Sequence, residues 1–177
     1  MLPVWQGGLI VLLVFLAYFP ALRGGFIWDD DAYVTNNPLL TAPDGWRRIW
    51  FSTDSPSQYF PLTYTVFRIE RSFWGLNPAG YHWVNILLHA INALLIWRLL
   101  KRLSMPGAWL AAALFALHPV QVESVAWITE LKSVLSLFFI LLTLFCWIEF
   151  VGERSRQFWY WLALAVYALA LFSKTTA

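Results

Sequence analysis

Three consecutive acidic residues, Asp29, Asp30 and Asp31, follow closely after an apolar segment of the chain. Adjacent carboxylates repel one another, which can raise a pKa or attract a cation or a polar ligand. An aspartate that points into an apolar cavity could act as a general base towards a hydroxyl group, provided that burial raises its pKa towards neutrality. Three successive side chains cannot all face one site. The run is also compatible with a structural role, in which the carboxylates cap a helix end and bind water.

A stripe of polar residues forms the second candidate cluster. Its members are three, four and three positions apart, and so share one face of a helix: His82, Asn85, His89 and Asn92. Polar groups in hydrocarbon are costly and rarely face lipid. The stripe therefore either lines a cavity or forms hydrogen bonds to neighbouring helices, each worth about 1 kcal/mol. Hydrogen bonding is the better account of Asn92, which lies deepest, whereas both accounts stay open for His82.

A third cluster combines His118, Glu123, Glu130 and Lys132. Glu130 and Lys132 are only two positions apart and are not expected to pair on one helix face. A histidine and two glutamates could bind a divalent cation, but their spacing is not that of a standard zinc site, so a site without metal is favoured. Lys132 could hold a phosphate as a point charge. Any of these groups could instead belong to a structural ion pair.

The composition places much of the chain in a lipid bilayer. Hydrophobic residues make up 60% and charged residues 12%, and the mean hydropathy of +0.60 lies outside the usual range of soluble domains. Aromatic residues reach 19%, with 12 tryptophans, which is typical of proteins with several membrane interfaces. The net charge of +2 is too small to indicate a nucleic-acid partner.

Five apolar segments are close to the length that crosses a hydrocarbon core of about 30 Å. The first is expected to be retained rather than cleaved as a signal peptide, because no basic residue precedes it and its apolar core is unusually long. The sequence therefore predicts an all-α polytopic membrane protein. Residues 1–177 would form a single module with spans at residues 5–22, 83–100, 103–120, 134–150 and 158–172.

Basic residues in the short connections set the predicted orientation, since basic loops stay on the cytoplasmic side of a membrane. The connections after the second and fourth spans contain Arg98, Lys101, Arg102, Arg154 and Arg156. Both connections are therefore predicted to be cytoplasmic, together with the N-terminus. The outer loop at residues 23–82, with its acidic run, and the connection after the third span then share the opposite face.

The outer loop is predicted to contain two short helices that lie on the membrane surface. Thr41 and Asp44 have the spacing of a capping box before an aromatic segment, which indicates a helix start. Pro61 can begin the second helix, in which apolar residues recur at helical spacing as far as Phe73. Together the two helices would form a roof over the acidic run. A partly disordered loop is the alternative.

A set of short motifs, in their order along the chain, indicates a family. They are Phe26-Ile27-Trp28-Asp29-Asp30, Asn37-Pro38, Tyr59-Phe60-Pro61-Leu62, Gly75-Leu76-Asn77-Pro78, Tyr81-His82, Val84-Asn85, His89, and His118-Pro119 through Glu123-Ser124-Val125-Ala126-Trp127. Over residues 24–174 the chain resembles the membrane region of the transmembrane and tetratricopeptide-repeat proteins. These proteins are similar to protein O-mannosyltransferases of the GT-C glycosyltransferase superfamily.

The resemblance implies an inverting membrane glycosyltransferase that moves a sugar, typically mannose, from a polyprenyl-phosphate donor to a hydroxyl group on a protein. Asp29 would be the general base, and Asp30 would orient or bind substrate. The donor phosphate and other substrate groups would meet residues further along the chain, namely His82, His118, Glu123 and Lys132. Relatives often carry an aspartate or asparagine where this chain has Ser133, which removes a carboxylate from that position.

The resemblance also implies a larger protein, because family members have further spans and a helical repeat domain. The chain is thus expected to be an N-terminal portion, GT-C-like in fold, that looks truncated after its last span. No cofactor is certain, although a divalent cation could take part. The absence of an N-glycosylation sequon favours a bacterial inner membrane over the endoplasmic reticulum, with the active face on the periplasmic or lumenal side.

Two other functions stay open. A non-catalytic membrane scaffold of the same fold would present a helical repeat domain to partners. A small-molecule transporter needs interrupted helices near mid-bilayer. No glycine or proline break accompanies Asn85 and His89, so the transporter ranks last.

Overall fold

The computed structural model describes residues 4–52, 58–152 and 156–176, and within these ranges it contains α-helices and no β-strand. This confirms the predicted all-α class. The helices are α1 Val4–Tyr18, α2 Gly45–Phe51, α3 Pro61–Trp74, α4 Pro78–Arg102, α5 Ala108–Leu117, α6 Gln121–Ala126, α7 Leu131–Val151 and α8 Gln157–Ser173.

Three helical segments of the described ranges are long and apolar enough to cross a membrane: Val4–Arg23, Pro78–Arg102 and Ile128–Val151. The other two predicted spans are shorter helices. Helix α8 has 17 residues, or about 26 Å, and α5 has 10, or about 15 Å.

Helix α5 is short because the sequence limits it at both ends. Gly107 precedes it with a left-handed φ of 73°, a conformation that favours glycine. At the other end, Pro119 disfavours helical geometry in His118, which is extended. The segment 103–120 therefore returns across the bundle as a short helix flanked by turns, rather than as the continuous span that its composition predicts.

One end of the bundle, here called the Arg102 end, is held together by two polar contacts. An ion pair of 2.6 Å joins Arg102, the last residue of α4, to Glu149 near the end of α7. Trp109 Nε1, at the start of α5, donates a hydrogen bond of 3.0 Å to the carbonyl oxygen of Gln6 in α1. The beginnings of α1 and α5 and the ends of α4 and α7 thus lie together.

The opposite end carries the acidic run and is here called the acidic end. Thr63 Oγ1 in α3 donates to the carbonyl oxygen of Ser173 at 2.9 Å, and Lys174 Nζ donates to Ser133 Oγ at 2.8 Å. Helices α1, α4, α5, α7 and α8 therefore run between the two ends, and that all five of them span a membrane stays a prediction. Which end faces the cytoplasm stays a prediction. Arg154, one of the basic residues on which that prediction depends, lies outside the described residues.

The polar stripe of α4 fixes its packing against the following segments. Asn85 Nδ2 donates to the carbonyl oxygens of Trp127 at 3.0 Å and Ile128 at 3.3 Å. Asn92 Nδ2 donates to the carbonyl oxygen of Val134 at 2.8 Å. His89 Nε2 lies 2.9 Å from the carbonyl oxygen of Ala116. These three side chains are buried, so they act as hydrogen-bonding groups between segments rather than as the lining of an open cavity.

The outer loop folds into the two predicted helices, α2 and α3. Arg68 of α3 holds the loop before α2, because its guanidinium donates to the carbonyl oxygens of Leu39 and Ala42. Gly45 permits this close approach, since a Cβ atom there would lie 2.2 Å from Leu39 O and from Arg68 Nη1. The capping box at Thr41 is wrong: Asp44 is the N-cap of α2, and its side chain forms no capping hydrogen bond.

Helix α3 also buries a carboxyl group. Glu70 is 3% exposed, and neither oxygen has a hydrogen-bond partner among the described residues. It lies on the helix face that carries Phe67 and Trp74, whose rings pack against Tyr81 of α4. Burial in these surroundings raises the pKa of Glu70 to about 9. The folded protein therefore keeps this carboxyl protonated at neutral pH.

We expect Glu70→Gln to remove a pH dependence of stability. Wild-type Glu70 has a pKa of about 9 when folded and 4.5 as the ordinary value. Between these values the unfolded chain releases a proton that the folded chain keeps, so wild-type stability falls by about 1.4 kcal/mol per pH unit as the pH rises. Glutamine has no such proton. The thermal unfolding midpoint of Glu70→Gln in detergent should therefore exceed that of wild type more at pH 8 than at pH 5.

The matched control is Glu123→Gln, which changes an exposed glutamate on α6. Its unfolding midpoint should follow that of wild type at both pH values. Parallel pH profiles for Glu70→Gln and wild type would contradict a protonated, buried Glu70.

Candidate active site at the acidic end

The three aspartates face different surroundings. Asp29 and Asp31 are exposed, whereas Asp30 is fully buried. The chain turns sharply before them, because Trp28 has a φ of 47°, and the backbone N–H of Ile27 donates to Asp30 Oδ2 at 2.8 Å. The run thus places one carboxylate inward and two outward, in agreement with the limit that three successive side chains cannot share a site.

Asp30 connects the outer loop to the segment before α7. Its Oδ1 accepts hydrogen bonds from the backbone N–H of Thr129 at 2.9 Å and from the Thr129 hydroxyl. With the bond from Ile27, the carboxylate accepts from three donors. A buried carboxylate needs such partners, because desolvation of an unpaired charge is very costly. Both carboxylate oxygens of Asp30 thus accept hydrogen bonds within the protein, and these bonds hold the acidic run against Thr129.

Asp29 is the carboxylate left accessible beside this junction. Its side chain is exposed, and no hydrogen bond or ion pair of that side chain occurs among the described residues. Asp31, in contrast, accepts a hydrogen bond of 2.8 Å from Thr35 Oγ1. The carboxylate that could reach a substrate is therefore Asp29, although it is not buried in an apolar cavity as the general-base argument supposed.

A group of polar and charged residues is here called the lysine cluster: Glu130, Lys132 and Ser133, which come soon after Thr129, and Lys174, which follows α8. Lys132 Nζ lies 2.9 Å from Glu130 Oε1, and Lys174 Nζ lies 3.9 Å from Glu130 Oε2. Ser133 Oγ donates to Glu130 and accepts from Lys174. Two cations surround one anion, so the cluster has a net positive charge.

The prediction that Glu130 and Lys132 would not pair is wrong. It assumed that both residues lie on one α-helix. Instead, Glu130 ends a short 3-10 turn, Ile128–Glu130, and α7 begins at Leu131. The change of backbone geometry brings the two side chains together. Lys132 also lies 5.1 Å from the ring centre of Tyr33 and 5.5 Å from that of Trp127, contacts that favour a cation.

The remaining predicted site residues are spread around this end of the bundle. His82 is buried next to Gly24, where a Cβ atom would lie 3.1 Å from its Nε2. His118 is exposed, and its Nδ1 accepts a hydrogen bond of 3.2 Å from the backbone N–H of Val120. Glu123 is exposed on α6. In the ranges that the structure describes, no group of three histidine, cysteine, aspartate or glutamate side chains is placed to hold a metal ion.

Sequence reasoning missed Thr129 and Lys174 as members of this site. Thr129 has no signal of its own, since its role depends on Asp30, which lies 99 positions away along the chain. Lys174 could have been found, because it lies two positions after the last predicted span, and five predicted spans place it at the same end as the acidic run.

The chain belongs to a mannosyltransferase family. The family model described as dolichyl-phosphate-mannose-protein mannosyltransferase matches residues 61–177, which include α3 to α8 and the lysine cluster.

The chain is also similar to named proteins. It is 34% identical over 157 residues to "Protein O-mannosyl-transferase TMTC2" of Mus musculus, a match covering 81% of this chain and 19% of the relative. It is 29% identical over 173 residues to "Protein O-mannosyl-transferase TMTC3" of Homo sapiens, covering 92% and 19%. It is 31% identical over 150 residues to "Protein O-mannosyl-transferase F38B6.6" of Caenorhabditis elegans, a match covering 77% of this chain and 22% of the relative.

The matches cover only part of each relative. The chain spans about a fifth of their length. All three come from animals, so they give no support to the expectation of a bacterial inner membrane, whereas a multi-pass membrane protein is in keeping with both the relatives and the helices. No solved structure matches the chain.

We expect Thr129→Val to weaken the attachment of the acidic run. Valine keeps the shape and the backbone N–H but removes the hydroxyl that donates to Asp30. A hydrogen bond to a charged group contributes about 1.5–3 kcal/mol, so the thermal unfolding midpoint in detergent should fall by several degrees. Thr143→Val is the matched control, because the Thr143 hydroxyl bonds only the carbonyl oxygen of Phe139 in its own helix. Equal midpoints for the two variants would contradict the structural role of the Asp30–Thr129 contact.

Proposed function

We propose that this chain is the N-terminal membrane portion of a protein O-mannosyltransferase. The reaction transfers mannose from a polyprenyl phosphate of the dolichyl type to a hydroxyl group on a protein. The family description and the names of the relatives support the class of reaction. The observation that carries the proposal is the Asp30–Thr129 contact, since it sets an accessible carboxylate, Asp29, at the same junction as the lysine cluster.

In the proposed reaction, Asp29 acts on the acceptor hydroxyl group and the lysine cluster acts on the donor phosphate. The acceptor oxygen attacks C1 of the mannose, and Asp29 takes the hydroxyl proton as general base. The bond between C1 and the phosphate oxygen breaks, and its electron pair leaves with the polyprenyl phosphate. Attack from the face opposite the phosphate inverts the configuration at C1. Lys132 and Lys174 stabilise the negative charge of the departing phosphate.

The other residues support these groups. Asp30 acts as a positioning residue, because its hydrogen bonds fix the backbone that carries Asp29. His82 lies beneath the same loop at Gly24. His118 and Glu123 are proposed to meet the lipid-linked part of the donor, since both are exposed on the segment that joins α5 to α7. The acidic end is proposed to face the outer, periplasmic or lumenal, side of the membrane.

We expect Asp29→Asn to lower mannose transfer by about a hundredfold or more, since a positioned general base contributes about 10²–10⁴ to the rate. The measurement uses the natural full-length protein, reconstituted with radiolabelled polyprenyl-phosphate mannose and an acceptor peptide rich in serine and threonine. Asp31→Asn is the matched control, because Asp31 is equally exposed but bonded to Thr35. Its rate should stay within a few-fold of wild type.

Two outcomes of this assay would remove the proposal. Equal transfer by wild type, Asp29→Asn and Asp31→Asn would show that Asp29 is not the catalytic base. Transfer that is unaffected by Lys132→Gln would separate the lysine cluster from the donor phosphate. Repeating the wild-type assay with a chelator tests the expectation that a divalent cation could take part.

A further inference from the structure

A cavity lies in the roof formed by α2 and α3, apart from the residues of the proposed active site. It has a volume of about 390 Å³ and opens between α3 and the segment that leads into α2. Its polar lining consists of Arg68, Arg71, Thr41 and Ser72, and the Trp46 ring forms one wall. None of these residues belongs to the acidic run or to the lysine cluster. The cavity is therefore a separate feature of the fold.

The charges of this cavity are not neutralised by the described part of the chain. Arg68 donates to two backbone carbonyl oxygens and lies 5.2 Å from the ring centre of Trp46, but neither contact supplies a negative charge. The Arg71 side chain forms a hydrogen bond with Tyr81, but its Nη1 is buried and has no hydrogen-bond partner among the described residues. No ion pair joins either arginine to an acidic residue among those the structure describes. A buried guanidinium donor without a partner is costly, and an anion would relieve that cost.

The acidic residues nearest in the sequence do not neutralise the positive charges of Arg68 and Arg71. Glu70 lies between the two arginines in α3, but its carboxyl group is buried with a raised pKa of about 9, so it is uncharged at neutral pH. The Asp44 carboxylate lies 3.9 Å from Arg48 of α2, an ion pair that does not involve Arg68 or Arg71. The cavity thus combines two guanidinium groups and the Thr41 hydroxyl with no charged acid in its lining, a set of donors suited to phosphate oxygens.

The surroundings of the cavity indicate a membrane surface. Exposed aromatic and aliphatic side chains lie around it on α2, α3 and the turn that follows: Trp46, Ile69, Phe73, Trp74 and Leu76. Aromatic side chains collect at the level of the lipid head groups. A cationic cavity among such side chains is suited to phosphate groups at a membrane surface.

We propose that this roof cavity binds a phosphate group, carried either by the head group of an anionic phospholipid or by a soluble phosphate. Arg71 is the principal ligand, because Arg68 already holds the loop before α2. The Thr41 hydroxyl donates a further hydrogen bond, whereas Ser72 Oγ already donates to the carbonyl oxygen of Ile69 at 2.6 Å. This site is distinct from the lysine cluster and does not depend on the proposed transfer reaction.

The test measures phosphate binding to the purified full-length protein in a zwitterionic detergent. The two probes are inorganic phosphate and short-chain phosphatidylglycerol, and binding is followed by the shift of the thermal unfolding midpoint with probe concentration. Arg71→Gln should weaken binding about tenfold or more, as expected for the loss of a charge-assisted hydrogen bond. Arg98→Gln makes the same change of charge on an exposed part of α4, and should bind both probes as wild type does.

The two probes distinguish the source of the phosphate. Arg71-dependent binding of both supports a site for any phosphate group, whereas Arg71-dependent binding of phosphatidylglycerol alone supports a lipid head group. If Arg71→Gln does not fold, Arg71→Lys and Thr41→Val provide the comparison, since lysine keeps the charge and valine removes only a hydroxyl. Equal affinities of wild type and the cavity variants for both probes, or no binding of either probe, would overturn the proposal.

Discussion

The contact between Asp30 and Thr129 is the interaction on which the acidic end depends. It joins two parts of the chain that lie 99 positions apart, and it does so between a buried carboxylate and both donors of one threonine. The loop before it begins with two glycines and contains a residue with positive φ, Trp28, so it has little local structure of its own. Ring contacts support this attachment, since Trp28 packs against Trp127 and Lys132 lies over the ring of Tyr33, while the Asp30–Thr129 hydrogen bonds fix the backbone next to Asp29. The remaining helices serve largely to bring these two segments to the same end.

Much of the fold could be predicted from the sequence, because hydrophobic length alone identifies membrane helices. Three of the five predicted spans correspond to helical segments long and apolar enough to cross a membrane, and Pro61 does begin α3. What composition could not give is where a helix stops within an apolar segment. Segment 103–120 is apolar almost throughout, yet its helix occupies only 10 residues, because backbone limits at Gly107 and Pro119 override hydropathy. The capping box at Thr41 failed for a similar reason, since a local spacing does not specify which turn begins the helix.

The candidate site was predictable in its residue types but not in its contacts. The acidic run and Lys132 stand out in an apolar sequence because charges there are rare. Which aspartate would point inward depends on Thr129, a residue with no distinguishing pattern. The pairing of Glu130 with Lys132 depends on a 3-10 turn before α7, which a helical projection does not contain. Long-range hydrogen bonds and short irregular turns are therefore the two features that a single sequence leaves undetermined here.

The stripe on α4 has a consequence for how this fold can vary. Asn85, His89 and Asn92 all bond to backbone carbonyl oxygens of the neighbouring segments rather than to their side chains. Every residue type supplies a carbonyl oxygen, so the partner positions can exchange one apolar residue for another without losing these bonds. The requirement for particular amino acids falls on one helix only. The side chains of α4 therefore fix how the neighbouring segments pack along it, while the sequences of those segments are free to diverge.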